Sequence, residues 1–489
     1  MKAMDNVKQT GPRAVLGSQR VPEQFVGEYL TACLIPVVAA ANRERFAVRS
    51  LRLLAFSICG LISALILAGC APKTEPPKQV RAIEPMAILL APHTGEGKLD
   101  SEIRRVQEQV RGGKSLDISL ERLGWAFVSK ARESFDPGYF KLAEQCALAL
   151  DHRQPHCAEA LLLRGHVLHN LHQFKEAETL ARELISKREL PFDFGLLSDA
   201  LMEQGKLEEA FEACQKMIDL RPDLHSYARG AHLRWLKGDL HGAKKLMSMA
   251  ADAASPRDPD SAAWVFTRLA GYQFQSGNAE PSQQSCATAL EFQPNYPPAL
   301  LLRGRILLAE GKHEHACKVL RRGAELNPLP EYQWTLAEAL RAANRIDEAG
   351  KVESQLSRGG ALTDPRTYAL YLATRGGSTE LALSLAREEL NSRTDIFTHD
   401  ALAWALAAVG KLEEARQQSE QALAQGTQDA RLFFHAATIA RKASRIEEAE
   451  RFAVKATVFK HTLLPSERAQ LQALRNDFAS LGPRQPSIP

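Results

Sequence analysis

Three stretches of the sequence gather side chains capable of chemistry. GHVLHNLH sets His166, His169 and His172 at offsets of three and six, on adjacent turns of one helix, where imidazoles can hold a metal. No carboxylate or cysteine stands at a matching offset, so their expected role is that of ordinary groove and surface residues. HEHAC carries His313, Glu314, His315 and Cys317, but it lacks the H-E-x-x-H spacing that puts two imidazoles on one helix face. LILAGC, residues 65–70, ends an uncharged apolar run in a single thiol, Cys70. No G-x-S-x-G, phosphate-binding glycine loop or dinucleotide fingerprint accompanies them, so the sequence predicts no enzyme, no metal and no cofactor.

Cys70 belongs to an export signal. Arg43, Arg45, Arg49 and Arg52 precede residues 53–69, which carry no charge, and a secretion machine reads this basic-then-apolar order. The run is nearly long enough to stay as a membrane-spanning helix. Its end is small, Ala68 and Gly69, which lets a peptidase reach the backbone. LAGC, at Leu67, Ala68, Gly69 and Cys70, resembles the lipobox of bacterial lipoproteins. The resemblance implies acylation of Cys70 and cleavage just before it. Ala71 stands where an aspartate would signal inner-membrane retention, so it also implies a lipid-anchored place in the bacterial cell envelope, on the outer membrane facing the periplasm. Residues 1–69 then read as leader and signal peptide. Within them, residues 1–47 show no periodicity, and TACLIPVVAAA is too short to span a membrane. They read as a misassigned start, with Val48 as the true one, or as a long leader that is removed. Residues 70–98, opening APKTEPPKQ, are expected to form a flexible tether.

Charge and thiols narrow the class of the remainder. The chain has 62 Lys and Arg against 58 Asp and Glu; eight basic and four acidic residues fall in residues 1–69, leaving 54 of each beyond. A balanced chain gives no electrostatic footing for nucleic acid. Beyond Cys70 the cysteines are Cys146, Cys157, Cys214, Cys286 and Cys317, with no C-x-x-C spacing, and they read as small buried residues.

The elements that position all these residues announce themselves by repetition. GKLEEA occurs at residues 205–210 and again at 410–415, and related figures recur between and around them. They form a ladder: Ala143, Ala177, Ala210, Ala243, Ser282, Ala316, Ala349, Ala382, Ala415 and Ala449. The steps are 33 or 34 residues except one of 39, which contains the loop ASPRDPD. Twelve residues before most rungs stands a small residue, such as Gly165, Ser198, Ala231, Ala270 or Gly304, though Leu370 departs. Five before stands a turn former: Gly205, Gly238, Gly277, Gly311, Asn344, Gly377, Gly410. Twelve after, Pro155, Pro222, Pro294 or Pro328 stops the second helix. Two short helices crossing so closely that only a small side chain fits, joined by a left-handed turn, produce this pattern. One hairpin cannot bury its apolar face alone, so neighbours stack.

The period with its Gly or Ala, then Ala, then Pro resembles the tetratricopeptide repeat over about residues 116–460, in ten hairpins. The resemblance implies an all-α fold, a right-handed superhelical solenoid. Residues 99–115 read as an N-terminal capping helix, and residues 461–489 as a C-terminal capping helix and tail. In such arrays the first helix of each hairpin lines an inner groove that holds a protein or peptide partner. The inward positions are Arg229, His232, Trp235, Trp264, Arg268, Arg305, Trp334, Glu338, Arg341, Tyr368, Tyr371, Asp400, Trp404 and His435, with Phe274, Phe434 and Arg441 beside them. Aromatic rings interleaved with arginines suit peptide recognition, and equally suit the core between hairpins. The expected function is therefore a membrane-anchored interaction scaffold, or else a permanent subunit of an envelope assembly or secretion complex.

Overall fold

The computed structural model describes residues 85–480. The leader, Cys70 with its lipobox and residues 481–489 lie outside the described residues.

Twenty helices form ten hairpins. The first five pair α3 (Leu116–Ser134) with α4 (Gly138–Arg153), α5 (Ala158–Asn170) with α6 (Phe174–Arg188), α7 (Pro191–Glu203) with α8 (Leu207–Leu220), α9 (Leu224–Leu236) with α10 (Leu240–Asp252) and α11 (Pro259–Gln275) with α12 (Ala279–Phe292). The next five pair α13 (Pro297–Ala309) with α14 (His313–Leu326), α15 (Pro330–Ala342) with α16 (Ile346–Thr363), α17 (Pro365–Arg375) with α18 (Thr379–Ser392), α19 (Ile396–Ala408) with α20 (Leu412–Leu423) and α21 (Ala430–Lys442) with α22 (Ile446–Val458). Before them lie α1 (Pro85–Leu89) and α2 (Lys98–Arg111), and after them α23 (Pro465–Ser480). Among the described residues there is no strand, and each hairpin packs on the next, so the fold is an all-α solenoid.

The ladder explains why the hairpins close. All ten rungs, from Ala143 to Ala449 and including Ser282, are fully buried at 0% exposure. The serines at the crossings carry their hydroxyls without loss: Ser198 Oγ donates to the Ala210 carbonyl and Ser282 Oγ to the Ala270 carbonyl, both at 2.8 Å. Buried hydroxyls must be paired, and the facing helix supplies the partner. Left-handed turns fall at Gly205, Gly238, Gly277, Gly311, Asn344 and Gly410. In the eighth hairpin the left-handed residues are Gly376 and Ser378 and not Gly377, although α17 ends at the same distance from its rung as α15 or α19. Aspartates open several first helices: Asp223, Asp395 and Asp429 each accept from the amides two or three residues on, satisfying donors that the helix cannot.

Residues 85–98 correct the expected tether. They are not free: Leu89 is fully buried, and Gln107 Nε2 donates to the Leu89 and Ala91 carbonyls at 2.8 and 3.0 Å. Lys130 and His93 both meet the buried Asp100, at 2.8 Å each, holding its carboxyl down at about 2. The apolar run MAILL supplies the burial that the proline-rich part lacks.

Because the core is close-packed, Ala210→Leu is expected to overpack the crossing of α7 and α8 and destabilise it by about 1–3 kcal/mol. Hydrogen exchange should speed up in these helices and their neighbours while α15 and α16, which do not touch them, stay unchanged, since repeats couple through contacts. Unchanged exchange at α7 and α8 would place Ala210 outside the crossing.

Candidate functional site

The inner face is lined by the first helices, as their phase dictates, but it is not an open groove. Ten of the fourteen inward positions are buried: Arg229, His232, Trp264, Trp334, Glu338, Tyr368, Tyr371, Asp400, Trp404 and His435. Trp235, Arg268, Arg305 and Arg341 are part-exposed. At the buried positions two kinds of contact take up these side chains, as the core role left open beside partner binding requires.

The first kind joins consecutive first helices or residues of one hairpin. Arg229 on α9 holds Asp199 on α7 through Nε and Nη2 at 2.9–3.1 Å, and both side chains are nearly inaccessible. Burial pushes the Asp199 carboxyl up to about 6 against the pull of Arg229. Arg268 reaches His232 Nδ1 at 3.0 Å, and burial followed by this guanidinium drives the His232 pKa far down. His435 Nδ1 meets Asp400 at 2.9 Å, and its ring stacks on Trp404 with centroids 4.0 Å apart. Trp404 Nε1 donates to Thr374 Oγ1 at 3.0 Å. Tyr368 and Tyr371 stack at 6.1 Å, and Tyr371 meets the edge of Trp334. Arg305 pairs with Glu331 at 3.2 Å, and Arg341 with Glu353. Trp264 lies in the core of α9 to α12.

The second kind comes from far along the chain. The linkers after α18, α20 and α22 press against the ends of α7, α9 and α11. Thr394 donates its amide to the Glu203 carbonyl at 3.2 Å and its hydroxyl to the Gln204 carbonyl at 2.8 Å. Thr427 Oγ1 donates to the Leu236 carbonyl, and Lys237 Nζ to Gln425 at 2.7 Å. Gln275 Nε2 donates to the Gln428 carbonyl, and His461 Nε2 bonds the Phe274 carbonyl at 2.6 Å. Helix ends leave carbonyls without intrahelical partners, and Thr394 and Thr427 satisfy those of Glu203, Gln204 and Leu236. Trp235 stacks on Phe397 at 5.8 Å and donates Nε1 to Gln275. Further along, Glu338 caps α23 by accepting from the Ser466 amide at 3.0 Å and hydroxyl at 2.7 Å. Arg431 lies over the Trp334 ring and pairs with the fully buried Glu467 at 2.7 Å.

Charges concentrate where the first linker meets α7. Arg393, 2% exposed in its side chain, pairs with Glu203 at 3.0 Å and lies over the Phe174 ring. Asp395 takes Arg366 at 2.9 Å and shares Arg393 at 3.7 Å. Burial pushes Glu203 up to about 7, with Arg393 opposing. His169 and His225 are held down at about 3, by burial first and then by neighbouring arginines.

These shifts give opposite pH dependences. The folded pKa of Glu203 lies above its ordinary 4.5, so its contribution is full below pH 4.5 and is lost as pH rises through 7. The histidine pKa values lie below 6.5, so their contribution is full above pH 6.5 and is lost as pH falls toward 3. Between about pH 6.5 and 4.5 the two oppose each other. Glu203→Gln removes the offset, so its melting temperature should fall more steeply on acidification than that of the unmodified chain. Equal slopes would show Glu203 to titrate normally.

The other sequence-marked residues fall into the fabric of the array. His166 and His169 are buried, His169 against the edge of Phe174, and His172 stacks on the same ring from the left-handed turn. Cys317 is buried in the core of α13 to α15, and the five described cysteines are free thiols. Reading the inward phase of the first helices missed the cross-repeat pairing, which carries its own signal. Asp199 with Arg229, His232 with Arg268 and Asp400 with His435 each place complementary polar groups about one period apart.

A family model for the tetratricopeptide repeat matches residues 194–224 and 297–328, which are the third and sixth hairpins. None of the curated proteins compared matches the chain. Among solved structures the array is similar to a thermophilic TPR protein of Thermus thermophilus, at 19% identity over 39% of this chain and 96% of that one, with a TM-score of 0.34. It is similar to a tetratricopeptide repeat protein from Parabacteroides merdae, at 14% identity over 50% and 92%, with a TM-score of 0.38. It is also similar to a chain of the APC/C hetero-tetramer Cut9-Hcn1, at 13% identity over 82% and 96%, with a TM-score of 0.39.

Proposed function

We propose that this chain is a protein-interaction scaffold of the bacterial cell envelope, held to the membrane by a lipid on Cys70. The observation that carries the scaffold reading is the array itself: ten stacked hairpins, two of them recognised as tetratricopeptide repeats. Such repeats present extended surfaces to protein partners. The lipid reading rests on LAGC after an apolar core. No catalytic role is proposed for any residue.

The self-filled inner face favours a second reading, a permanent subunit of an envelope complex that meets its partners on the outer helices. Leu220, Ile346, Leu362, Leu381, Val454 and Val458 are exposed there, all on second helices of their hairpins. Purification from detergent-solubilised membranes distinguishes the two. A stoichiometric complex that survives gel filtration supports the subunit, and a partner lost on dilution supports the scaffold. A chain that recovers no specific partner under either condition contradicts both. For the anchor, metabolic labelling with a palmitate analogue should mark the unmodified chain and leave Cys70→Ala unmarked; equal labelling would overturn it.

A further inference from the structure

The contacts that close the array on itself differ in kind from those that hold the hairpins. Each hairpin closes on a small-residue crossing at 0% exposure, and neighbouring hairpins share continuous apolar clusters. The closing seam is made mostly of hydrogen bonds to helix-end carbonyls, the Glu203–Arg393 ion pair, and the ring contacts Trp235–Phe397 and Phe274–His461. Ile396, Ala422 and Leu432 add an apolar strip against the core of α7 and α8. The seam pieces are linkers, and two of them are extended: Arg393 has φ −140° and ψ 129°, and Asp429 has φ −119° and ψ 131°. Polar interfaces within one chain generally permit relative motion. The hairpins between the two sides of the seam can absorb a small rotation each, so the seam can part without breaking any hairpin.

We propose that this seam is a latch: the linkers at residues 393–395, 425–428 and 460–462 hold the array closed over its own inner face, and they release it while the hairpins remain folded. The latched linkers are then an internal ligand, an extended chain whose Thr394 and Thr427 hydroxyls cap the carbonyls of α7 and α9. Any external protein that uses the inner face competes with this segment. The latch is a property of the chain alone and stands whether or not such a protein exists.

Glycines mark the seam in a way that permits a clean test. Gly205, Gly238 and Gly277 have the same left-handed φ, 71°, 78° and 77°. A Cβ on Gly205 would lie 2.6 Å from the Thr394 carbonyl oxygen, and one on Gly238 would collide with the Gly426 carbonyl. Around Gly277 a Cβ meets nothing within 4 Å. Asparagine tolerates the left-handed turn. The full chain carrying Gly205→Asn and Gly238→Asn should therefore part at the seam, whereas Gly277→Asn should not.

The readouts are small-angle scattering, far-ultraviolet circular dichroism and residue-resolved hydrogen exchange. For the double variant the expected result is a larger radius of gyration, unchanged helicity, and exchange of the Thr394 amide faster by on the order of tenfold or more. Gly277→Asn should match the unmodified chain in all three. In the unmodified chain, low denaturant should release the Thr394 amide before the amides of α13 and α14. The proposal is overturned if the double variant keeps its protection and size, or if it loses helicity throughout. It is equally overturned if seam and hairpin amides of the unmodified chain are released only together.

Discussion

Asp199→Ala is expected to be among the most damaging single substitutions in the inner face, at about 3–5 kcal/mol. The carboxylate is 2% exposed and sits within 2.9–3.1 Å of Arg229, whose side chain is 5% exposed. Removing one member of a buried ion pair takes from the other charge, in a low-dielectric site, the carboxylate that met it at 2.9 Å. The pair itself is a weak source of net stability, as the upward shift of Asp199 to about 6 indicates. Asp199→Ala with Arg229→Met should therefore recover most of the loss. A long array lacks a single unfolding free energy, so the measurement is hydrogen exchange of α7 and α9 amides in the four chains of a double-mutant cycle. Additive losses would show that the two side chains do not act as a pair.

Glu467→Ala should release the last helix. Glu467 is fully buried, accepts from the Leu464 amide at 2.8 Å and pairs with Arg431 at 2.7 Å. Burial pushes its pKa upward, but Arg431 with the Leu464 amide and His435 together leave it lowered. The substitution removes the cap and leaves Arg431 over the Trp334 ring with only the weaker pull of Asp429 and Glu331. Because the Arg431 side chain is 22% exposed, water recovers part of its solvation, and the expected cost is about 3 kcal/mol. Limited proteolysis should cut within α23 much faster, and Trp334 fluorescence should shift. Protection of α23 equal to the unmodified chain would mean that the Ser466–Glu338 contact suffices.

How much of this was legible in the sequence follows from the range of each interaction. The alanine rungs and the turn glycines are local: a crossing that admits only a small side chain imposes alanine at a fixed distance from its turn, so period and hairpin count could be read directly. Among the seven turn formers read from the sequence, only Gly377 lost the left-handed position, to Gly376 beside it. The inward phase of Trp235, Trp334 and Glu338 was legible for the same reason. Their partners were not. Phe397, Arg431 and Ser466 reach them only because small rotations accumulate over several hairpins, and no residue spacing encodes that sum. Gly205 and Gly277 look alike in sequence, yet only one is approached by a distant backbone.

The closed array is the central claim, and one amide tests it most directly. The Thr394 N–H donates to the Glu203 carbonyl at 3.2 Å, across a linker with no helix of its own. Its exchange rate in the full, unmodified chain under native conditions can be measured by residue-resolved hydrogen exchange. The closed array requires strong protection, well beyond that of an ordinary linker amide between stacked hairpins. Exchange at the rate of a solvent-exposed amide, with the hairpin amides still protected, would show an open solenoid and contradict the account.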